Sequence, residues 1–221
     1  MREPRYSDEP TDGATFTREH DRIYTRFAGV YAGAVRRLPL WKTWLARALP
    51  HIAGPRVLEV SFGTGYLLTR YADRVEAHGV DVNRRMVLTA GEELRRAQRH
   101  ASLVQANVEA LPYADASFDS LVNTMAFSGY PDGRRALAEM TRVLRPGGRL
   151  ILMDIGYPAD RNRLGMWIAD LWKLSGDLLR DMGRLFSEAR LEFSHEEIGA
   201  FGSVHLWCAT RGDGAEAAPV A

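Results

Sequence analysis

From residue 56 onward, short apolar runs alternate with segments whose apolar residues recur every three or four positions. The runs Arg56–Val60, Val75–Val80, Ser102–Ala106, Ser117–Asn123, Arg149–Asp154, Leu191–His195 and Val204–Thr210 have the length and composition of strands. Helical patterns follow the first, second and fourth of them. This alternation predicts an α/β fold with a mainly parallel sheet of seven strands covered on both faces. Glu196 to Ser203 join the last two runs without a full helix, which predicts an antiparallel hairpin at one end of the sheet.

Two further helical regions flank this body. Residues 16–50 predict a helical N-terminal cover, with Ile23, Phe27, Val30, Tyr31, Trp41, Trp44 and Leu45 on apolar faces and Pro39 separating two helices. Residues 157–190 form an insertion before the hairpin. In it Leu164, Trp167, Ile168, Leu171, Leu174, Leu178 and Leu185 recur at helical spacing, and Met166, Trp172, Met182 and Phe186 add bulk. That pattern fits a helix packed on the body, and equally a helical lid over an apolar substrate pocket. Residues 1–15 and 212–221 read as a flexible arm and tail around one domain spanning 16–211.

Composition narrows the function more than the fold. The 221 residues are 46% hydrophobic and 26% charged, enough for one filled α/β domain. A net charge of +1 gives no electrostatic case for a nucleic-acid partner. No apolar stretch approaches the roughly 20 residues of a transmembrane segment. The single cysteine, Cys208, excludes an internal disulfide; with the polar N-terminus it points to the cytoplasm. Monomer and homodimer both stay open.

Val57-Leu58-Glu59-Val60-Ser61-Phe62-Gly63-Thr64-Gly65 carries the main chemical signal. An apolar strand runs into a loop with two glycines just before a helical pattern, the place where open α/β sheets bind nucleotide-like cofactors. Glu59 adds a carboxylate, which suits a cationic ligand better than a pyrophosphate. Gly79-Val80-Asp81 closes the next strand, and Asp81 follows Glu59 at about the 20-residue spacing that sets an acid beside a ribose. A carboxylate there can accept from both ribose hydroxyls; the plainer role is a helix N-cap. Past the third strand, Asn107 could bond an adenine edge while the next backbone N–H, that of Val108, meets a ring nitrogen; Asn in that place is also common turn chemistry. Arg145-Pro146-Gly147-Gly148 reads as a structural turn that stops a helix and launches a strand.

In this order the motifs, with Asn107-Val108-Glu109-Ala110-Leu111-Pro112 and Ser117-Phe118-Asp119, resemble the class I S-adenosylmethionine-dependent methyltransferases. The resemblance is to the small-molecule branch that includes ubiquinone/menaquinone-type enzymes, and it runs from about Tyr24 to Thr210. It implies a Rossmann-like fold and S-adenosylmethionine as cofactor, leaving as S-adenosylhomocysteine. It places Glu59, Gly63 and Gly65 around the methionyl part, Asp81 at the ribose and Asn107 with Val108 at adenine, and it counts Ser61, Phe62, Thr64, Val82 and Met86 among the cofactor-binding residues. Asn123 and Thr124 would line the methyl-donor pocket, and Tyr24 belongs to a lead-in with two tyrosines seven apart. Three positions depart from the family pattern. Ser61 stands where glycine is usual, Phe62 where a small residue or Cys is common, and Asn107 where Asp is usual.

Methyl transfer from a sulfonium is an in-line displacement that gains much from alignment, and it needs a base only if the nucleophile must lose a proton. Candidate catalytic groups are His195 beside Glu196 and Glu197, His20 in the helical cover, and Asp154 ending the fifth strand; each also has a plain structural role. The expected acceptor is a small, partly apolar metabolite or lipid precursor. One alternative binds the cofactor for chemistry other than methyl transfer. A nicotinamide-dependent oxidoreductase is the other. Against it, Leu68 breaks the G-x-G-x-x-G spacing, and neither lysine (Lys42, Lys173) has a Tyr four residues before it. Asn123-Thr124-Met125-Ala126 is not the Asn-Pro-Pro-Tyr of base methylation, and no H-E-x-x-H or Cys cluster suggests a metal.

Overall fold

One seven-stranded sheet organises the computed structural model, which describes residues 3–7, 12, 13, 15, 16, 18, 39–174 and 176–212. Its strands are β1 (Arg56–Val60), β2 (Glu76–Asp81), β3 (Ser102–Gln105), β4 (Phe118–Thr124), β5 (Leu144–Ile155), β6 (Leu191–Gly199) and β7 (Val204–Arg211). They lie in the order β3-β2-β1-β4-β5-β7-β6. The first five pair in parallel, and β7 runs antiparallel to both β5 and β6. The predicted hairpin therefore closes one end of the sheet, with its second strand inserted next to β5.

Six helices are described: α1 (Pro39–Ala46), α2 (Leu68–Tyr71), α3 (Arg84–Arg96), α4 (Gly133–Val143), α5 (Arg163–Leu174) and α6 (Met182–Glu188). Side chains alternate across the sheet, so each strand feeds two cores. Leu58, Leu121, Leu150 and Leu152 join Ala136, Leu137 and Met140 of α4 on one face. Val57, Val122, Ile151 and Met153 meet Leu45 of α1, Leu68 of α2 and Ala90 of α3 on the other. Both faces of a parallel sheet are thereby buried, which is why its strands read as near-continuous apolar runs.

Two details differ from the sequence reading. The Arg145-Pro146-Gly147-Gly148 turn lies inside β5. Leu144 pairs with Phe118 and Arg149 with Ser120, so the intervening residues leave register with Gly147 at φ +71. Within 157–190 the apolar periodicity divides between two faces. Met166 and Ala169 are buried, as are Met182, Leu185 and Phe186, whereas Leu164, Trp167, Leu171 and Leu174 are exposed. Of the N-terminal cover, α1 begins at Pro39, and residues 19–38 lie outside the described residues.

Candidate functional site

A cleft opens at the carboxyl ends of β1, β2 and β4, where the strand order reverses direction between β1 and β4. Open α/β sheets place ligands at this switch point because loops leaving neighbouring strands there diverge. Glu59, Ser61, Phe62, Gly63, Thr64, Asp81, Val82, Met86, Asn107, Val108 and Thr124 all line it. Sequence reasoning missed the wall built by Trp41 and Leu45 of α1 and by Met125, Ala126, Gly129, Tyr130 and Pro131 after β4. The i, i+4 pair of Trp41 and Leu45 carried a signal for α1; no local signal marked Tyr130.

The loop after β1 turns through three left-handed residues, Ser61 (φ 53), Gly63 (φ 56) and Gly65 (φ 75). At Gly63 an added Cβ would meet nothing within 4 Å, so this backbone faces open space. Gly65 does not line the cleft; a Cβ there would come within 2.7 Å of Ala90, so its lack of a side chain lets α3 pack close. Phe62 is buried against Gly79, whose added Cβ would lie 2.7 Å from the ring. The bulky residue at this family-variable position thus fits because β2 supplies a glycine beneath it.

Asp81 is 7% exposed and doubly anchored. One carboxylate oxygen accepts from Gly63 N–H at 3.0 Å, and the other from Asn83 N–H at 2.9 Å. The N-cap of α3 is Asn83, which accepts from Arg85 and Met86. Glu59 is 1% exposed and accepts from the Tyr71 hydroxyl at 2.9 Å. Burial pushes its carboxyl up to about 8; the nearby Asp81 charge adds to this and the Tyr71 bond opposes it. Such a carboxyl gains most from a cation placed beside it.

Asn107 caps the short turn Val108–Ala110, its amide oxygen accepting from Glu109 N–H at 3.0 Å. The side chain is thus turned back on its own chain, with the second lone pair of that oxygen left over. Asn123 is fully buried behind the wall and does not line the cleft. It donates to Val60 O at 3.2 Å and to the Tyr130 hydroxyl at 2.7 Å.

The catalytic candidates stand elsewhere. Asp154 accepts from Ser128 N–H at 2.6 Å, from the Ser128 hydroxyl at 3.0 Å and from Ile155 N–H at 2.7 Å, fastening the loop after β4 to β5. Burial, with Asp177 adding, pushes it up to about 7. His195 faces His205 at 2.6 Å, and both rings stack with Trp207 on the hairpin. Burial lowers both imidazoles, His205 to about 4. Neither Asp154 nor His195 lines the cleft, and no described residue of 157–190 does. Tyr24 and His20 lie outside the described residues. Among the described residues no group of three or more His, Cys, Asp or Glu could hold a metal, and no helix is long and apolar enough to cross a membrane.

An open α/β sheet with an acidic, glycine-turned cleft at its switch point defines a nucleotide-cofactor-binding protein of the Rossmann-like class. A family model described as a methyltransferase domain matches residues 58–152. The ubiquinone/menaquinone biosynthesis C-methyltransferase UbiE of Proteus mirabilis is 31% identical over 170 residues, covering 69% of this chain and 68% of that protein. Its counterpart in Klebsiella pneumoniae is 34% identical over 125 residues, or 54% of this chain and 50% of that one. In such shorter alignments the chain spans about half the length of the curated relatives it matches. Among solved structures, the [4+2]-cyclase SpnF superposes with a TM-score of 0.75 at 16% identity, covering 94% of this chain and 100% of that one; this likeness concerns the fold. The chain belongs to the class I S-adenosylmethionine-dependent methyltransferases. Its cofactor is S-adenosylmethionine.

Proposed function

We propose that the chain transfers the methyl group of S-adenosylmethionine to a small, partly apolar acceptor, of the kind found among metabolites and lipid precursors. The observation that carries this reading is the division of the cleft. Its β1–β2 side presents Glu59, Asp81 and the open backbone of Gly63, while its far wall is built from Trp41, Leu45, Met125, Ala126 and Pro131. The acidic side fits the cofactor. Glu59 would face a positive charge, the Asp81 carboxylate the ribose hydroxyls, and the Asn107–Val108 turn the adenine edge. When bound, S-adenosylmethionine supplies an electrophilic methyl on sulfur.

The apolar wall would hold the acceptor and exclude water from it. No histidine or lysine is among the described lining residues. Glu59 and Asp81 are assigned to the cofactor, so the described wall offers no dedicated base. That favours an acceptor whose nucleophilic atom is already electron-rich, such as a carbon beside an enol or phenol oxygen, in keeping with the C-methyltransferase names of the relatives. The free, half-buried thiol of Cys208 suits a reducing, cytoplasmic setting. The test is incubation with methyl-labelled S-adenosylmethionine and a panel of quinols, phenols and amines, followed by extraction of labelled product. Label in the quinols or phenols supports the reading, and label only in amines contradicts the acceptor class.

A further inference from the structure

Met125 stands where the cleft meets the 157–190 insertion. It follows β4, lines the apolar wall and packs against two apolar clusters at once. One is the sheet core around Val122, Ile151 and Met153. The other consists of Ile155, Tyr157, Met166, Ala169 and Leu179, all buried, with Trp172 at its edge. Met166 and Ala169 belong to α5, and Leu179 to the link between α5 and α6. Among the described hydrophobic residues, Met125 alone both lines the cleft and packs on this second cluster.

Its backbone is held in a conformation that its side chain does not favour. Met125 is left-handed (φ 54), a region that glycine enters freely and an L side chain enters at a cost. Asn and Asp offset that cost by bonding the local backbone, and a thioether does not. Neighbours fix the turn instead. The Met125 N–H donates to Met153 O at 2.6 Å, and Ser128, three positions on, is fastened to Asp154. Such strain persists only where the surroundings over-determine it, and here they aim the Met125 side chain.

Methionine is long, unbranched and flexible, so it fills an irregular gap well. Resting on the acceptor placement proposed above, we infer that Met125 is a specificity-determining residue. It closes the acceptor side of the cleft towards the insertion and so limits the length of the acceptor's apolar part. Chains that stop short of it gain affinity with each buried methylene, roughly fourfold apiece. Chains that run into it gain nothing further. The insertion thus shapes acceptor choice from behind, through Met166, Ala169 and Leu179, which back Met125.

The test is calorimetry on the full chain saturated with S-adenosylhomocysteine, titrated with para-alkylphenols from methyl to octyl. The wild-type chain is expected to bind more tightly with each added carbon up to a limit, and to level off beyond it. In Met125→Ala the limit moves outward by about three carbons, the length removed, so the longest phenols bind at least about tenfold tighter than in the wild type. Met125→Gly, which the left-handed backbone suits, gives the same shift should Met125→Ala misfold, and melts confirm folding. Met125→Leu keeps the bulk and the wild-type limit. Affinity for S-adenosylhomocysteine stays within about twofold in all three variants. An unmoved limit in both small variants would overturn the inference, as would an equal loss for short and long phenols. Phenols that bind neither wild-type nor variant chains would overturn it together with the acceptor placement. A moved limit with no label transferred to any phenol would uphold the role of Met125 and count against methyl transfer instead.

Discussion

Asp81 accepts a hydrogen bond from the backbone N–H of Gly63 at 3.0 Å, and the two residues are 18 positions apart. With its second bond to Asn83 N–H at 2.9 Å, one carboxylate ties the end of β2 to the loop after β1. Two neighbouring strand ends thus share one buried acid, which fixes the loop before any ligand arrives.

Replacing this acid should therefore damage two things at once. Asp81→Ala leaves two backbone donors without their partner, a cost of about 1–3 kcal/mol. It also removes the proposed ribose acceptor, so S-adenosylhomocysteine affinity should drop at least about tenfold. Scanning calorimetry reads the first effect and titration calorimetry the second. Unchanged affinity would show that Asp81 only braces the loop.

Glu59 makes stability and binding depend on pH in opposite directions. Its carboxyl sits at about 8 in the fold against an ordinary 4.5, so the folded chain holds a proton that the unfolded chain releases between those values. Stability should fall as pH rises from about 5 to about 8, with a slope of up to roughly 1.4 kcal/mol per pH unit. A cationic ligand binds the ionised carboxylate, so affinity for the sulfonium S-adenosylmethionine should rise over the same range. Glu59→Gln should flatten both trends, raise the melting temperature at pH 8 and weaken binding. Titrations at pH 6, 7 and 8 with parallel melts check this, and an affinity independent of pH in the wild-type chain would refute it.

Gly63 and Gly65 look alike in sequence but should respond differently to alanine. Both are left-handed, so each substitution carries a penalty of about 1–2 kcal/mol. At Gly65 the new methyl also meets Ala90 at 2.7 Å, adding steric strain and a larger drop in melting temperature. At Gly63 it enters open space in the cleft, so cofactor binding should suffer more than stability. Melts and titrations on the two variants would contradict this if they ranked alike in both.

His195→Ala should leave methyl transfer within about twofold of wild type, because its ring stacks with His205 and Trp207 away from the cleft. A loss of a hundredfold in initial rate, with folding intact, would return His195 to the candidate bases.

The seven strands, the hairpin and most of the acidic side of the cleft were legible in the sequence because they rest on local signals. Apolar runs have strand length, glycines stand just past a strand, and an acid ends the next strand. The apolar wall was less legible. Tyr130 acquires its role only when β4 brings Asn123 beside Val60, and nothing near residue 130 records that pairing. Asp154 was visible as a strand-end acid, yet its partner Ser128 lies 26 positions away and turns it into a fastener. The 157–190 pattern had helical period, but period alone does not say which face meets the body.

The central claim, that this cleft aligns S-adenosylmethionine with an electron-rich, partly apolar acceptor, is tested most directly by one coupled assay. The chain is incubated with methyl-labelled S-adenosylmethionine and a quinol or phenol acceptor, and labelled product and S-adenosylhomocysteine are quantified together. The account predicts that both form in equal amounts and only when acceptor is present, and that Asp81→Ala suppresses both. S-adenosylmethionine bound tightly by the chain but left unconsumed across the whole acceptor panel would contradict it, and would point to cofactor binding in the service of other chemistry.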